Sequence, residues 1–318
     1  MNQEKALTEY YQNEFSLSPL VSVIDTTDFH KREFGFVQLN GHFIRNYSFA
    51  SPTSLLYFLQ TRPLLHVYVG AVYEGSPSQE NPINTLNWVR RELIFDIDLN
   101  DFDLVRKKEC GCQLDRMCLQ CWEEHIKPSV YFIEDTLRED FGFKMIKWTY
   151  SGRRGVHAWI QDKNSHTLNS EQRASIIRYL SLINSDNIIP IKELPRRLWG
   201  RVFTWIVKHF FLSASIEDLV SLGFPQERAY SITISFQKKE ISEHTIGRLL
   251  TLSKFGEKKA MQEILFRRLP RIDQKVTVDI SRILRMPGSI HGATGKPVLI
   301  LDISHIDDFN PFNVPSIF

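Results

Sequence analysis

A mixed α/β fold is predicted by three features of the chain. Its apolar spacing switches repeatedly between the two-residue period of strands and the period near 3.6 of helices, turn residues punctuate the segments, and there is no internal repeat or low-complexity tract. With 318 residues, 42% of them hydrophobic, the chain can bury a sizeable core as one elaborate domain or two smaller ones. That composition excludes a disordered tail. The formal net charge is only +2, so a nucleic-acid partner would be held by a local basic surface and not by bulk charge. The first residues, Met1 to Lys5, are polar, and no apolar stretch approaches the roughly 20 residues of a membrane span. A soluble intracellular protein is therefore expected.

Taken in order, Leu7 to Phe15 has the spacing of a short amphipathic helix, and Glu33 to Asn40 with His42 to Phe49 reads as a hairpin turned by Asn40-Gly41. Ser54 to Leu59 is helical and Val67 to Tyr73 a strand. A further apolar strand ends in Asp96-Ile97-Asp98. Ser129 to Phe141 has helical spacing; Lys144 to Tyr150 and Val156 to Gln161 are two strands joined by Ser151-Gly152-Arg153-Arg154-Gly155. A helix from about Ser170 to Ile183 opens with Asn169 as its cap and Gln172 three residues on, with Ile176, Leu180 and Ile183 on its apolar stripe. From about Leu194 to Phe255 the pattern is almost wholly helical. We read residues 191–255 as a helical insertion subdomain, with 1–190 and 256–318 forming the main domain. The stripe Trp199, Phe203, Ile206 and Phe210 fits core better than a base-stacking surface, since no basic or glycine-rich interleaving accompanies it.

The chemistry concentrates in three places. Side chains at i and i+2 on a strand share a face, so Asp96 and Asp98 converge on one ion; hard divalent cations such as magnesium or manganese take oxygen ligands and share them with substrate phosphates. In the loop that follows, the glycines at 152 and 155 let the backbone approach a ligand, Ser151 offers a hydroxyl, Arg153 and Arg154 offer planar forks to phosphate oxygens, and His157 comes next on the strand. The alternative is a surface turn with exposed arginines. All four cysteines, Cys110, Cys112, Cys118 and Cys121, lie within twelve residues, a clustering that argues against a disulfide framework. Four thiolates around one tetrahedral zinc leave no open position for a catalytic water, so the zinc would be structural. The competing reading is a set of reduced, buried cysteines. Arg106, Lys107, Lys108 and Arg116 surround the cluster, mostly as a solvated charged face.

These residues, in this order, resemble the catalytic small subunit of the archaeo-eukaryotic DNA primases over nearly the whole chain. The landmarks are Arg32-Glu33-Phe34-Gly35-Phe36, Phe43-Ile44-Arg45, Glu92 through Asp98, the cysteine knuckle, Ser151 through Trp159, and Arg282 through His291. Asp101-Phe102-Asp103, Asp140 through Phe143 and Phe309 through Pro315 look closer to the eukaryotic branch. The resemblance implies the primase fold, with mixed β-sheets flanked by helices, a zinc knuckle at about 106–125 inside the catalytic domain, and the small helical insertion. It implies that Asp96 and Asp98 hold two catalytic Mg2+ or Mn2+ ions together with Asp273; Asp279 competes for that third place but is better explained as the cap of a helix from Ile280. Glu33 joins the catalytic set. Arg45, Ser151, Arg153, Arg154, His157, Arg282, Arg285 and His291 would bind the incoming nucleoside triphosphate. The implied activity is synthesis of short RNA primers on single-stranded DNA by two-metal nucleotidyl transfer.

Implied partners are the DNA template, the RNA primer, nucleoside triphosphates, an iron-sulfur large subunit and, in the eukaryotic branch, the DNA polymerase alpha complex, with a nuclear location there and a cytoplasmic one otherwise. Two other functions are open. One is a catalytically vestigial zinc-containing nucleic-acid-binding module, disfavoured because the acidic and phosphate-binding positions are all present. The other is a repair polymerase of the same fold that uses deoxynucleotides.

Overall fold

The computed structural model describes residues 2–184, 187–188, 195–206, 210–237 and 255–318. Two compact units divide the chain. One comprises Met1–Leu99, Phe143–Arg178 and Ile272–Phe318; the other comprises Asn100–Gly142 and Tyr179–Arg271. In chain order the strands are β1 (Arg32–Gln38), β2 (Phe43–Tyr47), β3 (Leu64–Tyr73), β4 (Trp88–Arg90), β5 (Leu93–Asp98), β6 (Ile146–Tyr150), β7 (Gly155–Ile160), β8 (Ile183–Asn184), β9 (Asn187–Ile188), β10 (Leu284–Arg285), β11 (Ile290–His291), β12 (Lys296–Pro297) and β13 (Leu299–Leu301).

The first unit holds two larger antiparallel sheets beside the two-stranded β11-β12 pair. One has the order β10-β3-β1-β2 with β4 also on β3, and the other the order β13-β6-β7-β5. Alternation explains both. Phe34 and Phe36 on β1 and Val67 and Val69 on β3 point into a core shared with Leu55 and Leu59 of the Pro52–Gln60 helix, Ile94 of β5 and Trp159 of β7. Ser51 and Ser54 form a capping box that starts that helix. The amino-terminal helix begins earlier than its apolar spacing suggests, at Gln3, because the Asn2 side chain accepts the Glu4 amide; residues Tyr10–Glu14 continue it as a wider turn.

Beneath the core lies an ion pair, Arg32 to Glu92 at 2.8 Å, with both side chains 1% exposed. The Arg32 guanidinium also donates through its two terminal nitrogens to the carbonyls of Gly70 and Asp25, and Glu92 accepts the Asp25 amide. Burial alone would raise the Glu92 pKa, yet it falls below the ordinary value because Arg32 outweighs the desolvation. Stranding one buried charge is costly. Glu92→Gln is expected to lower unfolding free energy by about 3–5 kcal/mol in denaturant titrations, and an unchanged midpoint would show that the pair does not anchor the unit.

The helix Ser170–Leu180 starts as expected: Asn169 and Gln172 exchange side-chain-to-backbone hydrogen bonds at 3.0 Å. Its inward face differs from the apolar stripe. Arg173, Ile177 and Leu180 are buried, Ile176 is half-buried, and Ile183 lies in β8. Arg173 belongs inside because its guanidinium donates to the carbonyls of Leu168, Arg91 and Glu92, a use of a cation that apolar spacing cannot reveal.

In the second unit, the helices Lys127–Glu139 and Arg196–Ile206 pack through Phe132 and Trp205, whose rings meet edge-on at 5.8 Å while the indole N–H donates to the Pro128 carbonyl. The buried stripe of Arg196–Ile206 is Leu198, Val202, Trp205 and Ile206, offset from the one expected, with Trp199 half-buried at its border. Short helices at Ile216–Ser221 and Gln226–Gln237 and a longer one at Phe255–Arg268 follow. The Phe203 side chain and the helical expectation for residues 238–254 lie outside the described residues. Among the described residues, no helix is long and apolar enough to cross a membrane.

Candidate functional site

β5 and β7 pair in a register that sets Asp96 opposite His157 and Asp98 opposite Gly155. With Phe95 and Ile97 buried on the opposite face of β5, Asp96 and Asp98 face a cavity of about 260 Å3. The β6–β7 hairpin brings its turn to the same cavity. Gly152 sits at φ +82°, and a Cβ on Gly155 would lie 2.6 Å from the Ile97 carbonyl oxygen, so only glycine lets the turn close against β5. Ser151 locks it, donating its amide to the Gly155 carbonyl and accepting the Gly155 amide on its hydroxyl.

Around this cavity stand Ser151, Arg153, Arg154, His157, Arg282, Arg285 and His291. The Arg154 guanidinium donates to Asp98 at 2.9 Å, and His157 Nε2 lies 3.6 Å from the Asp96 carboxylate. Arg282 lies 3.5 Å from the Asp273 carboxylate, and the Asp273 amide donates to the Asp96 carbonyl at 2.9 Å. Three carboxylates and four arginines thus share one locality. Asp279 is placed differently from its reading as a helix cap. The helix here is Gln274–Val278: Asp273 caps its start, accepting the Lys275 amide, whereas Asp279 follows its end and closes a turn with Ser281. The apolar run after Asp279 becomes a turn and β10, because it pairs with the edge of β3.

Glu33 and Arg45 do not line the cavity. They form a bidentate pair at 2.8 and 2.9 Å, and Arg45 also donates to the Ser281 carbonyl, bracing the segment that leads into Arg282 and Arg285. The link to Glu33 raises the Arg45 pKa further.

Two residues escaped the sequence reading. Tyr68 on β3 lines the cavity, its ring 5.8 Å from the Arg285 guanidinium, and His66, two residues earlier on the same face, meets His291 edge-on at 5.3 Å. The signal was the alternation itself: His66 and Tyr68 share the face of β3 opposite the buried Val67 and Val69, and β10 pairs beside them.

Burial with nearby Arg285 holds the histidines neutral: His66 falls to about 4, His157 to about 3 and His291 to about 2. Each is below the ordinary value near 6.5, so the unfolded chain binds the extra protons first. The stability these groups contribute is complete above about pH 6.5 and falls as pH drops toward the folded values. Thermal melts between pH 6.5 and 4.5 are expected to show a shallower decline for His66→Gln than for the wild type; parallel curves would exclude that contribution.

In the second unit, the sulfurs of Cys110, Cys112, Cys118 and Cys121 all lie within 4.8 Å of one another, two pairs at 3.3 and 3.5 Å. A zinc with four bonds of about 2.3 Å sets sulfurs about 3.8 Å apart, so the donor set fits such an ion. Arg106 is completely buried and donates to the Leu114 and Arg116 carbonyls and to Asp103, which makes it the brace of the knuckle loop and removes it from the expected solvated face.

Curled antiparallel sheets that set paired aspartates against a guanidinium-rich hairpin, with a four-cysteine knuckle in the chain between them, are features of primase-fold proteins. A family profile described as DNA primase small subunit matches residues 95–303. The chain is similar to the DNA primase small subunits of Schizosaccharomyces pombe (29% identical, covering 98% of this chain and 76% of that protein) and of Saccharomyces cerevisiae (26%, 91% and 77%). It is similar also to the DNA primase small subunit PriS of Pyrococcus furiosus (30%, 96% and 89%). The chain belongs to the DNA primase small subunit family. Eukaryotic and archaeal relatives resemble it to similar degrees, so identity alone does not assign it to the eukaryotic branch.

Proposed function

We propose that this chain is the catalytic subunit of a DNA primase that joins ribonucleotides into short primers on a single-stranded DNA template. The observation that carries this reading is the opposition, in one cavity, of Asp96 and Asp98 to Arg153, Arg154 and Arg285, with Asp273 tied by its amide to the Asp96 carbonyl. The carboxylates are hard oxygen donors suited to magnesium or manganese; when bound, such ions supply a lowered pKa at the attacking 3'-hydroxyl and charge stabilisation of the leaving pyrophosphate.

The side chains have distinct tasks. Arg153, Arg154 and Arg285 take the triphosphate oxygens and neutralise charge that grows on the β-phosphate as the α-phosphate bond breaks. Ser151 and neutral His157 add hydrogen bonds that orient the α-phosphate for in-line attack. No side chain in the cavity is needed as a covalent nucleophile, because alignment and charge compensation supply most of the acceleration. Arg282 balances Asp273, and Glu33 with Arg45 supports the strand from which Arg285 projects.

In this reading the cysteine cluster holds one structural zinc. A large subunit and, if the chain is of the eukaryotic type, a DNA polymerase alpha complex are the expected partners, with a nuclear location in that case. Removal of one charge-assisted contact sets the scale for His157→Ala: the KM for nucleotide is expected to rise about tenfold. An unchanged KM and rate would remove His157 from the phosphate site. The decisive assay incubates the protein on single-stranded DNA with labelled ribonucleotides or deoxynucleotides and magnesium or manganese, with and without a large subunit. Ribonucleotide oligomers support the proposal; products from deoxynucleotides alone indicate a repair polymerase, and no products under any condition indicate a vestigial binding module.

A further inference from the structure

We infer that Thr277 is a positioning residue that fixes Asp273 beside Asp96 by fastening the Gln274–Val278 helix along the open edge of β5; the functional part of this inference rests on the polymerase reading above. Among the described residues, β5 is the last strand of its sheet, paired with β7 on one side only. The carbonyls of alternate residues on an edge strand point outward and must find donors when they are buried. Here Ile94 and Asp96 supply two such carbonyls. The Thr277 hydroxyl donates to the first at 2.7 Å and the Asp273 amide to the second at 2.9 Å, so a single turn of helix spans the edge with a bond at each end. Arg91 adds a clasp, its Nη1 donating to the Val276 and Asp279 carbonyls at 3.0 Å.

Thr277 is completely buried, and its hydroxyl is spent on a backbone oxygen and not on any cavity group. Valine would fill the same volume but leave the Ile94 carbonyl without its donor, a loss that the segment can relieve by lifting from the edge. Lifting would act on Asp273, the first residue of the segment, whose only backbone bond to β5 is that amide. Carboxylates that share cations need placement within about 0.5 Å, so a small shift there is enough to weaken metal binding. The sheet also explains why the third carboxylate comes from so far along the chain: only an edge strand leaves room for a helix to deliver it next to Asp96.

Two variants and three readouts test the inference. In Thr277→Val, amide hydrogen exchange at Asp273 is expected to lose its protection while the β6–β7 ladder keeps its own. The affinity for Mn2+ alone, followed by electron paramagnetic resonance of the free ion, is expected to fall by about tenfold or more, the size usual for loss of a group that orients a metal ligand. In primer synthesis kcat should fall with it, and the KM for nucleotide should stay within about twofold. Thr277→Ser keeps the hydroxyl and should restore all of these. A valine variant that melts earlier yet keeps wild-type Mn2+ affinity and Asp273 protection would reduce Thr277 to a packing residue and overturn the inference, as would a serine variant that fails to restore them. Should the valine variant not fold, the wild type still decides: an Asp273 amide that exchanges as fast as exposed loop amides overturns the fastening, and one as slow as the β5–β7 ladder supports it. If the wild type makes no primers, the polymerase reading fails while Mn2+ binding and exchange still judge Thr277.

Discussion

Asp96→Ala and Asp98→Ala are each expected to abolish primer synthesis, by on the order of 10^3-fold or more, while the protein remains folded. The two side chains are only half-buried and stand on one face of β5, so their removal takes little volume from the core; Asp98→Ala also takes a carboxylate from Arg154, so a modest loss of stability is expected there. In the proposed mechanism they supply the ligand charge for the cations. Asp98→Asn separates the two contributions more sharply, because the amide oxygen still accepts the hydrogen bond from Arg154 while the charge is gone. Product sizing on denaturing gels together with thermal melts measures both quantities. Full activity in either alanine variant would overturn the assignment of the site, and loss of the cooperative melt would show that the pair is structural.

The second large effect is expected at the cysteines. One zinc per chain should be found by metal analysis, and Cys118→Ser with Cys121→Ser should eliminate it and destabilise the segment around residues 100–142. Cys121 is buried, and burial pushes its thiol up to about 11, so at neutral pH the free thiol keeps its proton. A bound cation reverses that balance by holding the thiolate. Structural zinc commonly contributes about 10–16 kcal/mol at pH 7, far more than the packing of a twelve-residue loop can replace. Chelation should therefore reduce helical circular dichroism in parallel with zinc release, and the release should become easier as the pH is lowered, since protons compete for the sulfurs. A doubly substituted protein that keeps its zinc and its melting temperature would exclude the knuckle.

How far the chain could be read before its structure varied with the kind of interaction involved. The β1–β2 and β6–β7 hairpins were readable because Asn40-Gly41 and the Ser151–Gly155 stretch carry their turn chemistry locally. The same holds for the Asn169–Gln172 cap. The inward face of Ser170–Leu180 was not readable, because Arg173 is buried by carbonyls that come from Leu168, Arg91 and Glu92, and no local rule places an arginine inside. Glu33 and Arg45 were placed by resemblance in the nucleotide pocket; they are engaged with one another and, through Arg45, with the Ser281 carbonyl, pairings that no local rule foretells.

Asp273 and Asp279 separate the two kinds of information most clearly. Both precede short apolar runs and both make local side-chain-to-amide bonds, so local rules barely distinguish them. The family resemblance favoured Asp273, and the β5 edge brings it to Asp96 through a bond between residues far apart in the chain.

By itself the sequence determined which chemistry is present: two aspartates on one strand face, a glycine-flanked pair of arginines, and four cysteines close enough to share an ion. Such features depend on periods of two or three residues, which the chain carries locally. Only the tertiary structure decided which distant groups join them. Asp273 reaches Asp96 because β5 is an edge strand, Arg285 and Tyr68 meet because β10 pairs with β3, and three histidines are biased to the neutral form because burial strips them of water and the Arg285 charge opposes theirs. Those outcomes depend on long-range strand pairing and burial, which no window along the chain contains.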